Sequence, residues 1–279
     1  MIGEVDFMGR FDGLLLCTDL DDTLLTADKR ISHGNRRAIE HFKAEGGLFA
    51  FTTGRCIAGA KLLLNHIKPN VPMICFNGAG IYDFENDKIL YLNKLNSDAK
   101  RAVEFIYNKF PYAAIDVCTA RESIFCRTNK RLEMHKKYEN LPDNYGDYRD
   151  ISDDWVKVIF MVEEEQVDTI RQAFAESEFA EEFEFMQSSP WYYELLPKGS
   201  NKGTGLLELA KLLNIPVEKT IGIGDNYNDI PLITHAGAGV AVANAVKPAL
   251  EAADYITVDN NSDALKAVIE AIEKGIISV

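Results

Sequence analysis

The sequence is short of positive charge. Thirty Lys and Arg stand against 43 Asp and Glu, a net charge of −13. So acidic a surface disfavours nucleic-acid backbones and anionic membranes as partners. A small phosphorylated metabolite stays compatible with it, because salt screens the distant field over about 8–10 Å and local cations or a metal ion dominate at close range. Long apolar runs are also missing, and none approaches the ~18 residues that cross a bilayer. The start, Met1 to Asp6, has no basic segment leading into an apolar one. A secretory leader is therefore not expected, and a cytoplasmic protein is. Cysteine is sparse and odd in number: Cys17, Cys56, Cys75, Cys118 and Cys126, with no Cys-x-x-Cys pair. That pattern points to reduced, partly buried thiols and away from a disulfide scaffold or a zinc site. Internal repeats and low-complexity tracts are absent. What is present is 279 residues, 47% apolar, enough for one large domain or a core with an inserted one.

The pattern of the first 80 residues alternates strand with helix. Gly13–Asp19 is a short apolar run ending in a carboxylate, as expected of a strand buried on both faces. Ser32 is placed to cap a helix from His33 to about Ala44, stopped by Gly46-Gly47. Leu48–Thr53 is a second strand, Cys56–His66 a helix, and Pro72–Asn77 a third strand. This order predicts a parallel, Rossmann-like sheet with helices on both faces. Then the pattern changes. A hairpin is expected across Glu85–Lys88, helices over Ser97–Lys109 and Glu164–Ala175, and strands over Ala113–Val117, Ser123–Cys126, Val156–Val162 and Phe183–Gln187. The mixture predicts an inserted α+β domain, residues 84–191, between core segments 1–83 and 192–279. Strand–helix alternation resumes near Tyr192, with a helix from Lys202 to Leu213, strands at Thr220–Asp225 and Gly239–Val242, and a last helix over Asp263–Lys274.

Four polar clusters fall at the ends of these strands, where open α/β sheets bind ligands. Asp19-Leu20-Asp21-Asp22-Thr23 offers two carboxylates at i and i+2. One beside a divalent cation stays ionised and can attack phosphorus, and the other can exchange a proton with a leaving group or water. An acidic turn capping a helix is the plain alternative. Thr53-Gly54-Arg55 supplies a hydroxyl and a flexible amide suited to a phosphate oxygen, or merely a tight turn. Lys202 near a helix start can neutralise phosphoryl charge, though most lysines are surface residues. Gly222–Ile230 holds Asp225, a natural ligand for a hard cation, with Asn228 and Asp229 to orient it or its waters.

Taken together and in order, these motifs resemble those of the haloacid dehalogenase (HAD) superfamily, subclass IIB, the Cof-type phosphatases. That family shows Asp-x-Asp-x-Thr, Thr-Gly-Arg, a lysine before a core helix, and Gly-Asp-x-x-Asn-Asp. Asn77-Gly78-Ala79 and Asn244-Ala245 match it too. The resemblance implies a Mg2+-dependent phosphatase acting on small phosphate esters, sugar phosphates among them. It implies Asp19 as nucleophile, Asp21 as acid/base, and Mg2+ held by Asp19, the Asp21 backbone carbonyl and Asp225. Thr53, Gly54 and Lys202 would hold the phosphoryl group, and the insertion would be a cap. Asp22 departs from the family, which often has glycine there; Ala264-Leu265 replaces a common Gly-Val pair. A phosphomutase or other phosphotransferase of the same superfamily, or a regulator that only binds a phosphometabolite, are the alternatives. In the insertion Tyr112, Arg121, Arg127, Trp191 and Tyr192 could touch substrate, although such residues are more often core or solvated surface.

Overall fold

The computed structural model describes residues 9–61 and 67–279. In chain order its elements begin with β1 (Leu15–Thr18), α1 (His33–Ala44), β2 (Leu48–Phe51), α2 (Ile57–Lys61), β3 (Met73–Cys75), β4 (Gly80–Asp83) and β5 (Lys88–Leu92). They continue with α3 (Ala99–Lys109), β6 (Ala114–Thr119), β7 (Ser123–Arg127), α4 (Lys130–Glu139), β8 (Trp155–Met161), α5 (Glu164–Ala175), β9 (Phe183–Ser189) and β10 (Tyr192–Pro197). The last are α6 (Lys202–Leu212), β11 (Thr220–Gly224), α7 (Ile230–His235), β12 (Ala238–Ala241), α8 (Lys247–Ala252), β13 (Tyr255–Ile256) and α9 (Ala264–Glu273). These residues form two compact units, 9–52 with 67–73 and 206–279, and 53–61 with 74–205.

The first unit is built on a parallel sheet in the order β13-β12-β11-β1-β2. Its central strands are near-continuous apolar runs because both faces are covered: Leu15, Leu16, Cys17, Phe49, Ala50, Phe51, Ile221 and Ile223 are fully buried. α1 begins where expected, with the Ser32 hydroxyl accepting from the Asn35 N–H. Gly46 lies just past its end in the left-handed region (φ 88°).

The second unit carries an antiparallel sheet in the order β7-β6-β8-β10-β9. Its strands alternate. Ile115, Val117, Val158, Phe160, Tyr193 and Leu195 pack into one apolar core with Val103 and Ile106 of α3 and Val167, Ile170 and Phe174 of α5. The opposite face therefore receives Asp116, Lys157 and Glu194, one from each of three neighbouring strands, and all three are buried.

Two sequence expectations change. The third strand, read as part of the parallel sheet, is β3, and it belongs to a separate three-stranded sheet, β3-β4-β5. The chain turns sharply after it at Phe76–Gly78, three successive residues with positive φ (53°, 52° and 95°), so β3 finds its neighbour locally. The strand at Tyr192 is β10, which pairs antiparallel with β8 and β9. Between the strands expected at Ser123–Cys126 and Val156–Val162 the chain also forms α4, for which no element was expected, capped by Asn129 and ended by left-handed Asn140. The helix read over Cys56–His66 is described as α2, and its part at 62–66 lies outside the described residues. All five cysteines are free thiols, four of them buried. No helix among the described residues is long and apolar enough to cross a membrane.

Candidate active site

Asp19 leaves β1 in an extended conformation (φ −64°, ψ 164°), and its N–H donates to the Ile223 carbonyl of β11 at 2.9 Å. The parallel ladder thus fixes the backbone up to the carboxylate itself. The chain then makes a wide turn closed by the Leu25 N–H on the Leu20 carbonyl (2.8 Å), with Leu20 and Leu24 buried as its anchors. Asp21 stays extended inside this turn, 3.6 Å from the Lys29 ammonium. Asp22 adopts the left-handed region (φ 60°). Glycine takes that conformation without penalty, and Asp is among the few other residues that tolerate it. The departure from the family pattern at this position therefore has a conformational reason. The Asp22 carbonyl accepts from Asn244 Nδ2 (2.8 Å), Asn244 Oδ1 accepts from the Asn260 N–H (2.9 Å), and Asn260 Nδ2 donates to the Leu25 carbonyl (2.9 Å). Asn260, a buried polar residue the sequence reading passed over, completes this brace.

β11 delivers the second acidic group. A Cβ at Gly224 would lie 2.3 Å from the Asp229 Cβ, so glycine is what lets Asp229 fold back against the strand. Asp229 Oδ2 accepts from the N–H groups of Asp225 (3.1 Å) and Asn226 (3.0 Å). Asp225 Oδ1 accepts from the Thr23 hydroxyl at 2.7 Å. Asp19, Asp225 and Asp229 each bring a carboxylate oxygen within 4.8 Å of the others, and each is less than a tenth exposed. Like charges at that spacing repel by roughly 3 kcal/mol per pair at an effective dielectric of about 20. A hard divalent cation bound among them would offset this, and an all-oxygen donor set suits magnesium, calcium or manganese over zinc. The Asp21 carboxylate is not part of this cluster. Asn228 is buried nearby in sequence.

Thr53, Gly54 and Lys202 belong to the second unit. The Thr53 N–H donates to the Ile74 carbonyl (2.9 Å) and the Asn77 N–H to the Thr53 carbonyl (3.1 Å). Gly54 is tight against Asn77: a Cβ there would lie 2.9 Å from Asn77 Oδ1. Lys202 opens α6 and is 1% exposed. A cation at a helix N-terminus opposes the macrodipole, and burial adds a desolvation cost, so its placement favours an anion there. Gly78 sits so close that a Cβ would meet the Asn201 carbonyl oxygen at 1.9 Å, which ties the Asn77-Gly78 turn to the start of α6.

The buried charges of the antiparallel sheet belong to none of the four sequence clusters. Lys157 and Glu194 form an ion pair at 3.1 Å, and His135 of α4 lies 3.6 Å from Asp116 and 3.9 Å from Glu139. A lone charged residue inside an otherwise apolar strand was the available signal: Asp116 in β6, Lys157 in β8 and Glu194 in β10. Of the residues weighed as substrate contacts, Tyr192 lies edge-on to His135 at 5.2 Å, by this charged face. Arg127 has a structural task, donating to the Tyr107 and Phe110 carbonyls and stacking on Tyr107. Trp191 is stacked by Arg131, Tyr112 is exposed, and Arg121 sits in the turn after β6.

The sequence profile of haloacid dehalogenase-like hydrolases matches residues 16–269. The chain belongs to that family. It is 28% identical over 255 residues to 5-amino-6-(5-phospho-D-ribitylamino)uracil phosphatase YcsE of Bacillus subtilis, a match covering 91% of this chain and 94% of that protein. A haloacid dehalogenase-like hydrolase from Bacteroides thetaiotaomicron is similar in structure, with a TM-score of 0.79 at 25% identity over 93% of this chain and 99% of that one. A sugar phosphatase of HAD subclass IIB shares the fold, with a TM-score of 0.80 at 21% identity over 93% and 98% of the two chains. Within that family the protein is a Cof-type hydrolase, an enzyme of the phosphatase kind.

Proposed function

We propose that this phosphatase is magnesium-dependent and hydrolyses small phosphate esters, sugar and polyol phosphates among them, through an aspartyl-phosphate on Asp19. The observation that carries the reading is the buried cluster of Asp19, Asp225 and Asp229 at the carboxyl ends of β1 and β11, two neighbouring strands of a parallel sheet. Asp19 and Asp225 would hold the metal together with the Asp21 backbone carbonyl, while Asp229 and Asn228 orient the ligands. When bound, magnesium neutralises charge on the phosphoryl oxygens.

Asp19 Oδ attacks phosphorus, the ester bond to the leaving oxygen breaks, and Asp21 donates the proton that oxygen needs. Asp21, now a carboxylate, takes a proton from water as water attacks the aspartyl-phosphate, which regenerates Asp19 and releases phosphate. Asp21 suits this exchange because it is partly exposed, whereas Asp19 is buried. Thr53, the Gly54 N–H and Lys202 are assigned to the phosphoryl oxygens, and Thr53 stands two residues beyond β2, the strand adjoining β1. The insertion, carried through β10 to Pro197, is assigned as the cap that selects the leaving group, in a cytoplasmic enzyme.

The test is hydrolysis of p-nitrophenyl phosphate and of a panel of phosphorylated sugars, polyols and ribitylamino compounds, with magnesium and with chelator. Turnover should require the metal, and Asp19→Asn should lower it at least about 10³-fold while circular dichroism stays unchanged. Turnover retained in Asp19→Asn excludes the nucleophile assignment.

A further inference from the structure

Three successive carbonyls of the Thr53-Gly54-Arg55 turn are each held from outside. The Asn77 N–H donates to the Thr53 oxygen (3.1 Å), Lys157 Nζ to the Gly54 oxygen (2.7 Å) and the Phe76 N–H to the Arg55 oxygen (3.0 Å). Two of these holders are main-chain groups, and Lys157 is a side chain reaching from β8 of the antiparallel sheet. The peptide between Gly54 and Arg55 is a rigid plane with its carbonyl oxygen and amide hydrogen on opposite edges. Lys157 holds the first edge. At the second, the Arg55 N–H donates to Thr53 Oγ1 at 3.2 Å. A hydroxyl oxygen that accepts there turns its own proton elsewhere. The lysine therefore sets the direction of the Thr53 hydroxyl through a single peptide plane.

Lys157 is itself fixed. Glu194 Oε2 lies 3.1 Å from its ammonium and accepts from Asn77 Nδ2 at 2.8 Å, and Glu194 Oε1 accepts from the Ser188 hydroxyl. Both members of the pair are at most 4% exposed, so neither swings as a surface side chain does. A buried ion pair commonly adds no stability over apolar residues of similar size, and the strand positions flanking Lys157 and Glu194 are apolar. Stability alone does not account for charges at these two positions.

We propose that Lys157 is a positioning residue for the phosphate-holding turn, with Glu194 as its anchor. The inference rests on the assignment of Thr53 and Gly54 to the phosphoryl group. Lys157→Met removes the charge at nearly constant length. In the full chain with magnesium it should raise the inhibition constant of inorganic phosphate about ten- to a hundred-fold. It should also lower kcat/KM for p-nitrophenyl phosphate and for a sugar phosphate by one common factor. A lysine that touches the leaving group would instead give losses that differ between the esters with phosphate inhibition unchanged. A lysine that only packs would lower the melting temperature and move neither constant. Either result overturns the proposal. Because Lys157→Met strands the Glu194 carboxylate, the double variant Lys157→Met/Glu194→Gln is measured beside it. It should recover melting temperature but not phosphate affinity, and wild-type phosphate inhibition in it also overturns the proposal. A wild-type protein that hydrolyses neither ester and is indifferent to phosphate would remove the phosphatase reading itself, a result distinct from any of these.

Discussion

At the scale of single residues, backbone conformation and oxygen geometry decide what each position tolerates. Asp22 is left-handed and exposed, with its Lys29 contact at 3.2 Å worth little in water. Asp22→Gly should leave unfolding stability within about 1 kcal/mol of wild type, since relief of the backbone is offset by the freer unfolded chain. Asp22→Val should cost about 1–2 kcal/mol in urea titration, because a β-branched residue resists that conformation. Equal stability of the two variants would contradict the conformational argument. Gly224→Ala pushes a methyl into Asp229 and should weaken the binding of a divalent metal about ten-fold or more, read from the metal dependence of turnover or by calorimetry. Sequence pattern makes Asp19 and Asp225 legible as a pair of strand-end carboxylates. It gives Asp229 only an outlying place, because its return to the cluster depends on the missing Cβ of Gly224 and on two amides that accept no pattern rule.

At the scale of elements, what repeats along the chain is readable and what pairs across it is not. α1, α5 and α9 show apolar faces at helical spacing, and their observed ends lie within a residue of those expected. α4 escapes notice because the face it buries contains His135 and Lys136 beside Leu132. β3 looks like any buried strand, and only the left-handed turn at 76–78 diverts it from the parallel sheet. β10 is equally ambiguous: its apolar run would suit either sheet, and the partner strands that settle the matter, β8 and β9, are chosen by tertiary packing. Two substitutions test the elements. Ser32→Ala removes the cap of α1 and a hydroxyl that donates to Asp263, beside the start of α9, and should cost about 1 kcal/mol in thermal or urea unfolding. Gly78→Ala forces a Cβ onto the Asn201 carbonyl and strains a φ of 95°, so it should lower stability by at least about 2 kcal/mol and disturb the start of α6. A wild-type melting curve for Gly78→Ala would disprove the close approach.

At the scale of the whole molecule, pH acts on buried charge. Burial alone would push the His135 imidazolium down, but the Asp116 and Glu139 carboxylates outweigh it and hold its pKa above the ordinary 6.5, against an opposing push from Lys157. A histidine that binds its proton more tightly when folded stabilises the protein fully below about pH 6.5. It gives up that contribution as pH rises through the folded value. His135→Gln should therefore flatten the fall in urea midpoint between about pH 6 and 8, and an unchanged slope would contradict the pairing. The five thiols give the molecule a built-in clock. Burial pushes Cys17 and Cys126 up to about 12 and Cys56 up to about 11, and raises Cys75 and Cys118 as well, so at neutral pH all five resist alkylation. Cys17 belongs to the unit of the parallel sheet and the other four to the unit of the antiparallel one. In a mass spectrum of protein pulsed with iodoacetamide, the labelled fraction counts the molecules that have opened, and the labelled peptides name the half that opened first.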